Sequence, residues 1–437
     1  MTMDRDALLA QAVGLMRAGR LEDSEAAFGA LLEQGQAEPE ALRQMAGLLA
    51  QKRDYAGAAQ VLKQALAYEP FHADAWRQLG AAYSFLGRHE AAGEAIRRAR
   101  SLRPYPCPIV EWHVALQALR EGEYREGFAA YEWGKLCGMR KVRCLGAEWE
   151  GSYLGHYATL FIWCEQGQGD TLQFLRFLPQ AAAQSGAGKI VLEVQEPLVG
   201  LLCDFPGVEI VAQARDGAMP CCYDAHCALM SLPYILQKGR GKRQEGREME
   251  QMLAMDAPYL FARSDRVAVW RERLQTPETD SLSSSLFPLP LKVGFCWQGD
   301  GRHANDGARS LHEGDFEMFD PILHKDGVTV CPLHLGAMPD GEHPLLDWVE
   351  TAAVIANLDL VISVDTAVAH LAGAMGKPVW LLLPAASDWR WLRDRADSPW
   401  YPSMTIFRQE QQGEWGPVAA VVAWALLQEA REDKGGM

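Results

Sequence analysis

The stretch DLVISVDTAVAHLAGAMGKPVWLLL, Asp359 to Leu383, holds two apolar runs with a short apolar helix pattern between them. The first run stops at Ser363, and its strand, Leu360 to Val364, delivers an acid and a hydroxyl, Asp365 and Thr366, to the start of that helix. Gly376 ends the helix and Pro378 keeps it ended, so a second strand begins. Strand, helix and strand in this order form the unit of a parallel sheet covered on both faces. Ligands of such sheets sit beyond the carboxyl ends of the strands, which is where Asp365 and Thr366 fall.

The first N–H groups of a helix have no partner within it, and the helix dipole favours negative charge there. The start at Thr366 therefore suits a phosphate, to which the Thr366 hydroxyl can add a hydrogen bond. His370 lies at i+4 from Thr366 and shares its face. Its imidazole either binds a phosphate or sugar or serves as a buried structural histidine. Asp365 would repel a phosphate placed on it, so orienting the loop or binding a sugar hydroxyl suits it better. Lys377 is expected to complement the far, C-terminal end of the same helix.

Two more loops occupy strand ends. EQGQGD, Glu165 to Asp170, follows a strand pattern and opens the helix TLQFLRFL. Gly167 and Gly169 permit a tight turn and close approach of a ligand. Asp170 is either an N-cap of that helix or a functional carboxylate. FCWQGDGRHANDGARSLH, Phe295 to His312, shows no strong helix pattern until after Ser310. Arg302 and Arg309 in it are candidates for neutralising a phosphate, or simply solvated surface arginines.

Outward from these loops, strands alternate with helices from Tyr157 and restart at LKVGFCWQGDG, Leu291 to Gly301. Between the two blocks lie a charged stretch, QKGRGKRQEGREMEQ, and a Pro- and Ser-rich linker, LQTPETDSLSSSLFPLP. Two αβ lobes joined by a linker imply a cleft between them.

The N-terminal part has a different grammar. Trp76, Leu79, Gly80, Tyr83, Ala92, Ile96, Ala99 and Pro104 fall on the signature positions of a tetratricopeptide repeat. A step of 34 residues back meets Leu42, Met45, Ala46, Leu49, Ala58, Leu62, Ala65 and Pro70. A second step meets a weaker copy, with Leu8, Ala12, Ser24, Phe28 and Leu31. A fourth pair follows, shifted by about one residue. Small residues let paired helices approach, and large ones fill the space between repeats. The expected organisation is a helical repeat array over 1–140, a first αβ lobe over 141–285 and a second over 286–437.

The formal net charge of -15 argues against a general nucleic-acid binder, which needs a basic footprint. No apolar run approaches a membrane span. The first residues lack a basic region followed by an apolar stretch, so no export signal and a cytoplasmic location are expected. The densest cysteine group, CCYDAHC with Cys221, Cys222, His226 and Cys227, lacks the paired spacing of zinc sites and suits reduced thiols.

The αβ half resembles bacterial glycosyltransferases related to the heptosyltransferase family, in forms fused to tetratricopeptide repeats. The resemblance rests on EQGQGDTLQFLRFLP, LDLVISVDTAVAHLAGAMGKPVWLLLP, DWRWLRDRADSPWYPSMTIFRQ and GEYREGFAAYEW. It implies a GT-B fold of two Rossmann-like lobes, a nucleotide-sugar co-substrate, and no required metal or other cofactor. It also implies Asp170 as catalytic base, and Gly169, Trp297, Gln298, Arg309, Asp365, Thr366, Ala367 and His370 as the donor-binding set. The segment VTVCPLHLG departs from the family pattern, with Pro332 to His334 where relatives more often show SLQ.

The expected activity is transfer of a sugar to a protein hydroxyl, with the repeat array holding a flagellin-like acceptor. The alternatives are transfer to a lipid or saccharide, and a GT-B scaffold that has lost catalysis and binds proteins through its repeats.

Overall fold

The computed structural model describes residues 5–33, 38–143, 146–214, 217–238, 257–274, 291–299, 301, 306–323 and 327–432. Arg302, most of the charged stretch and almost all of the Pro- and Ser-rich linker lie outside the described residues. The chain divides into two compact units, Met1–Cys137 and Gly138–Met437.

The first unit contains four helix pairs: α1 (Arg5–Arg17) with α2 (Leu21–Glu33), α3 (Pro39–Gln51) with α4 (Tyr55–Tyr68), α5 (Ala73–Phe85) with α6 (His89–Ser101), and α7 (Pro108–Arg120) with α8 (Tyr124–Tyr131). The first helices of successive pairs start at residues 5, 39, 73 and 108, so the repeat is 34, 34 and then 35 residues. The one-residue offset of the fourth pair is thus a real insertion. The small signature residues Ala58 and Ala92 are buried, as are the space-filling Leu62 and Ile96. Ser24 stands where the second and third copies have alanine, fully buried, and its hydroxyl donates to the Ala12 carbonyl at 2.8 Å. That bond removes the cost of a buried hydroxyl, so the weak first copy folds like the others.

Among the described residues the second unit contains two parallel sheets. Strands β1 (Thr159–Trp163), β2 (Lys189–Val194), β3 (Glu209–Ala212) and β4 (Ala225–Ala228) make a sheet of order β3-β2-β1-β4. Strands β5 (Leu291–Cys296), β6 (Val328–Pro332), β7 (Leu360–Val364), β8 (Val379–Leu383) and β9 (Met404–Arg408) make a sheet of order β6-β5-β7-β8-β9. Each pairing between these strands is parallel. Central strands of such sheets are covered on both faces, and all five residues of β7 and of β8 are buried. The fold class is therefore a helical repeat array followed by parallel α/β lobes, as the sequence leads one to expect.

The two lobes touch through the helices that follow β1 and β7. Helix α9 (Gln168–Phe174) packs against the helix Ala367–Ala374. Arg176, just beyond α9, is buried and crosses into the second lobe. It donates to the Trp400 carbonyl at 2.6 Å and to the Tyr259 hydroxyl at 3.2 Å. Its guanidinium also lies over the Tyr401 ring, 4.8 Å from the ring centre. Cation–π contacts of this kind strengthen when desolvated. Residues 257–274, which precede the linker, also pack on the second lobe. Tyr259 N–H donates to the Ala374 carbonyl and Arg266 pairs with Glu350.

Gly376 takes the left-handed conformation, φ 72°, that ends the Ala367–Ala374 helix. Lys377 departs from expectation. Its ammonium donates to the carbonyls of Ala356 and Leu358, at 2.7 and 2.8 Å. It therefore complements the end of the preceding helix, Trp348–Ala356, because the sharp turn after Gly376 carries the side chain back towards it.

Candidate active site at the meeting of two helix starts

β5 and β7 lie side by side, with Cys296 opposite Ser363, so the loops that follow them leave the sheet together. Thr366 is the N-cap of the Ala367–Ala374 helix, yet its side chain does not bond the first turn. Its hydroxyl instead meets Ser363 Oγ at 3.1 Å and Cys296 Sγ at 3.7 Å. The helix start thus keeps its own N–H groups for another acceptor. Arg309 comes from a short helical turn, Asp306–Arg309, within the loop after β5. Its guanidinium donates to the Asp365 carbonyl at 2.9 Å, which sets a positive charge beside the helix start.

His370 is buried, stacked on Trp391 at 5.3 Å and hydrogen-bonded through Nδ1 to the Tyr401 hydroxyl at 3.0 Å. Burial, with Arg390 close by, pulls its pKa down to about 3, so the ring is neutral at physiological pH. Burial, aided by repulsion from Asp388, pushes the Asp365 carboxyl up to about 6; Arg309 pulls the other way. Burial also raises the Cys296 thiol and, strongly, the Tyr401 hydroxyl.

Across the lobe boundary, Gly167 is the N-cap of α9 and Asp170 sits at N3. The sequence placed Asp170 at the cap itself. Gly167 has no side chain with which to cap, so the Asp170 carboxylate reaches back and accepts from the Gly167 N–H at 2.8 Å. Its other oxygen accepts from Arg390, which comes from the second lobe. Gly169 fits directly against the facing helix: a Cβ built there would lie 2.9 Å from His370 Cδ2 and 3.4 Å from Ala367 Cα. The sequence implies a cleft between the two lobes. At Gly169 the two helices are instead in contact, because the missing side chain lets them close.

Of the residues singled out from sequence, Gly169, Arg309, Asp365, Thr366, Ala367 and His370 are gathered around this helix start, and Asp170 lies on the facing helix, bound to Arg390. Trp297 and Gln298 leave the neighbouring end of β5. Trp297 packs edge-on to His334 at 4.6 Å and against Phe316 at 5.1 Å, and Gln298 is exposed. His334, part of the divergent PLH segment, is thereby placed beside Trp297, with its pKa lowered by burial. Sequence reasoning missed Arg390, Asp388, Trp391, Tyr401 and Arg176. The segment DWRWLRD was visible as a pattern, but nothing in it showed which side chain crosses to the other lobe.

Residues 344–415, which contain the Thr366 helix start and the Asp388–Trp391 turn, match glycosyltransferase family 9 (heptosyltransferase). Residues 48–104 match a tetratricopeptide repeat. The chain thus carries a match to tetratricopeptide repeats and, further on, a match to glycosyltransferase family 9. It is 28% identical over 410 residues to Protein FlbA of Caulobacter vibrioides, a match covering 85% of this chain and 64% of that protein. The chain thus spans just under two thirds of that relative's length. Among solved structures it is similar to MamA, with 20% identity, 31% of this chain and 79% of that chain covered, and a TM-score of 0.28. A thermophilic TPR protein of Thermus thermophilus gives 20% identity, 30% and 74% coverage, and a TM-score of 0.28.

Asp170 lies outside the family 9 match. Among the described residues no group of three or more His, Cys, Asp or Glu is placed to hold a metal ion. No described helix is long and apolar enough to cross a membrane. His226 is buried in β4 with Nδ1 3.4 Å from the Trp163 indole nitrogen, while Cys222 is exposed.

Proposed function

We propose that the second unit transfers a sugar from a nucleotide-sugar to a protein hydroxyl. The observation that carries this reading is the meeting of two helix starts from different lobes, one bearing Thr366 with Arg309 and the other bearing Asp170. The donor's phosphates sit at the helix start of Thr366, with Asp365 near the sugar and Trp297 and Gln298 on the nucleotide side. Asp170 accepts the proton of the acceptor hydroxyl as that oxygen attacks the anomeric carbon. The bond from that carbon to the phosphate oxygen breaks, and the leaving phosphate gains charge. Helix N–H groups and the Arg309 guanidinium stabilise it, with no metal required.

Asp170 already accepts two hydrogen bonds. A carboxylate offers about four lone-pair sites, so capacity remains for the acceptor hydroxyl. The repeats supply a surface for the acceptor protein, which on the resemblance is flagellin-like.

The test is a thermal-stability screen with UDP-, GDP-, ADP- and CMP-linked sugars. One class should raise the melting temperature of the parent and raise that of Arg309→Gln by less, the variant's fold being checked by its unliganded melting temperature. Stabilisation by none of the four, or equal stabilisation of both proteins, contradicts the reading.

A further inference from the structure

The geometry points to Arg390 as the positioning residue that holds Asp170 for proton transfer, from the lobe opposite to the one carrying Asp170. This rests on the reading of Asp170 as the base. Arg390 belongs to the turn Trp389–Trp391 that follows β8. Its side chain is only 8% exposed and lies over the Trp389 ring, 4.4 Å from the ring centre.

Each nitrogen of the guanidinium has its own partner. Nη1 donates to Asp388 at 2.8 Å, within its own turn. Nε donates to Gln173 Oε1 at 2.7 Å, on α9 of the other lobe. Nη2 pairs with Asp170 Oδ1, one helical turn before Gln173. A planar fork with three fixed partners determines the direction of the carboxylate as well as its distance. Gly167 fixes the other oxygen, so the plane of the Asp170 carboxyl is set from two lobes at once.

Asp388 gives this arrangement a second consequence. The carboxylate that orients Arg390 is also the one whose repulsion helps raise Asp365. The Arg390 guanidinium acts on the same Asp365 carboxyl in the opposite sense, lowering it. A residue needed only to join the lobes would not require this direction. Arg176 already joins them through backbone carbonyl and aromatic contacts.

The experiment compares the full chain with Arg390→Gln, Arg390→Lys, Asp170→Asn and the double variant Asp170→Asn/Arg390→Gln. The probe is turnover of UDP-, GDP-, ADP- and CMP-linked sugars with water as acceptor, read beside calorimetric affinity for the same nucleotide-sugars. Arg390→Gln should lower kcat about ten- to a hundredfold, the scale of a misplaced catalytic group, and leave affinity within about twofold. Arg390→Lys should recover part of kcat, because an ammonium reaches one carboxylate but cannot fork. In the Asp170→Asn background, Arg390→Gln should cause no further loss, because it acts through the missing carboxylate.

Arg390→Gln with parental kcat, additive losses in the double variant, or equal loss of kcat and affinity overturns the proposal. Should Arg390→Gln not fold, the lysine variant decides: parental kcat with lysine overturns it, and a drop in kcat at retained affinity supports it. Loss of turnover in Asp170→Asn beside an unaffected Arg390→Gln removes only the role of Arg390. Full turnover in Asp170→Asn removes the base as well.

Discussion

Gly169 and His370 meet at the boundary of the two αβ lobes, where a Cβ on the glycine would come within 2.9 Å of the imidazole Cδ2. The imidazole has little room to retreat. Tyr401 holds Nδ1 and Trp391 covers the ring face. Gly169→Ala gains at most about 1 kcal/mol of helix propensity. Overpacking against a fixed ring costs about 1–3 kcal/mol, so destabilisation wins. Denaturant unfolding should show a net loss of about 1–2 kcal/mol; unchanged or increased stability would mean that the lobes separate freely at this point.

Asp365 makes stability depend on pH with a definite sign. Its folded pKa of about 6 lies above the ordinary carboxylate value, so the folded state binds the extra proton. That contribution is complete at about pH 4 and is lost as pH rises through 6. Asp365→Asn carries no such loss. Relative to the parent it should melt higher at pH 7.5 than at pH 4, with a difference of about 1–2 kcal/mol in stability between the two conditions. His370, with its folded pKa of about 3, works in the opposite direction in both proteins and cancels in the comparison. An identical difference at both pH values would show that Asp365 is not held in this raised state.

The repeats and the αβ lobes are separate compact units, divided at Cys137 and Gly138. Deleting residues 1–137 should leave a cooperative melting transition and turnover of the nucleotide-sugar with water. Transfer to a protein acceptor should fall by about tenfold or more, as expected when an anchoring interaction of a few kcal/mol is removed. Undiminished protein modification would show that the acceptor is held by the lobes, and would favour a small acceptor.

Much of this architecture could be read from sequence because it is local or periodic. The 34-residue echo predicts three of the four helix pairs, and the one-residue shift of the last pair reappears in the helix starts. Continuous apolar runs such as Val379 to Leu383 betray strands buried on both faces. The two helix starts were also visible, since glycine, acid and hydroxyl residues at strand ends are local signals. What could not be read is which side chains cross between lobes. Arg390 lies 220 positions from Asp170, and Arg176 lies 224 from Trp400. No periodicity links such pairs, and an arginine buried among aromatics looks like a surface arginine until the fold closes around it. Thr366 shows the same limit: its residue type suggested a ligand contact, and only the fold shows its hydroxyl engaged with Ser363 and Cys296.

The most direct measurement is made on Asp170→Asn. Asparagine keeps the size of the side chain and an oxygen for the Gly167 N–H, but cannot take a proton from an attacking hydroxyl. With a nucleotide-sugar that binds the parent, calorimetry should give an affinity within about twofold, while turnover should fall by about two to four orders of magnitude. Turnover at the parental rate would contradict the assignment of Asp170 as the group that receives the proton.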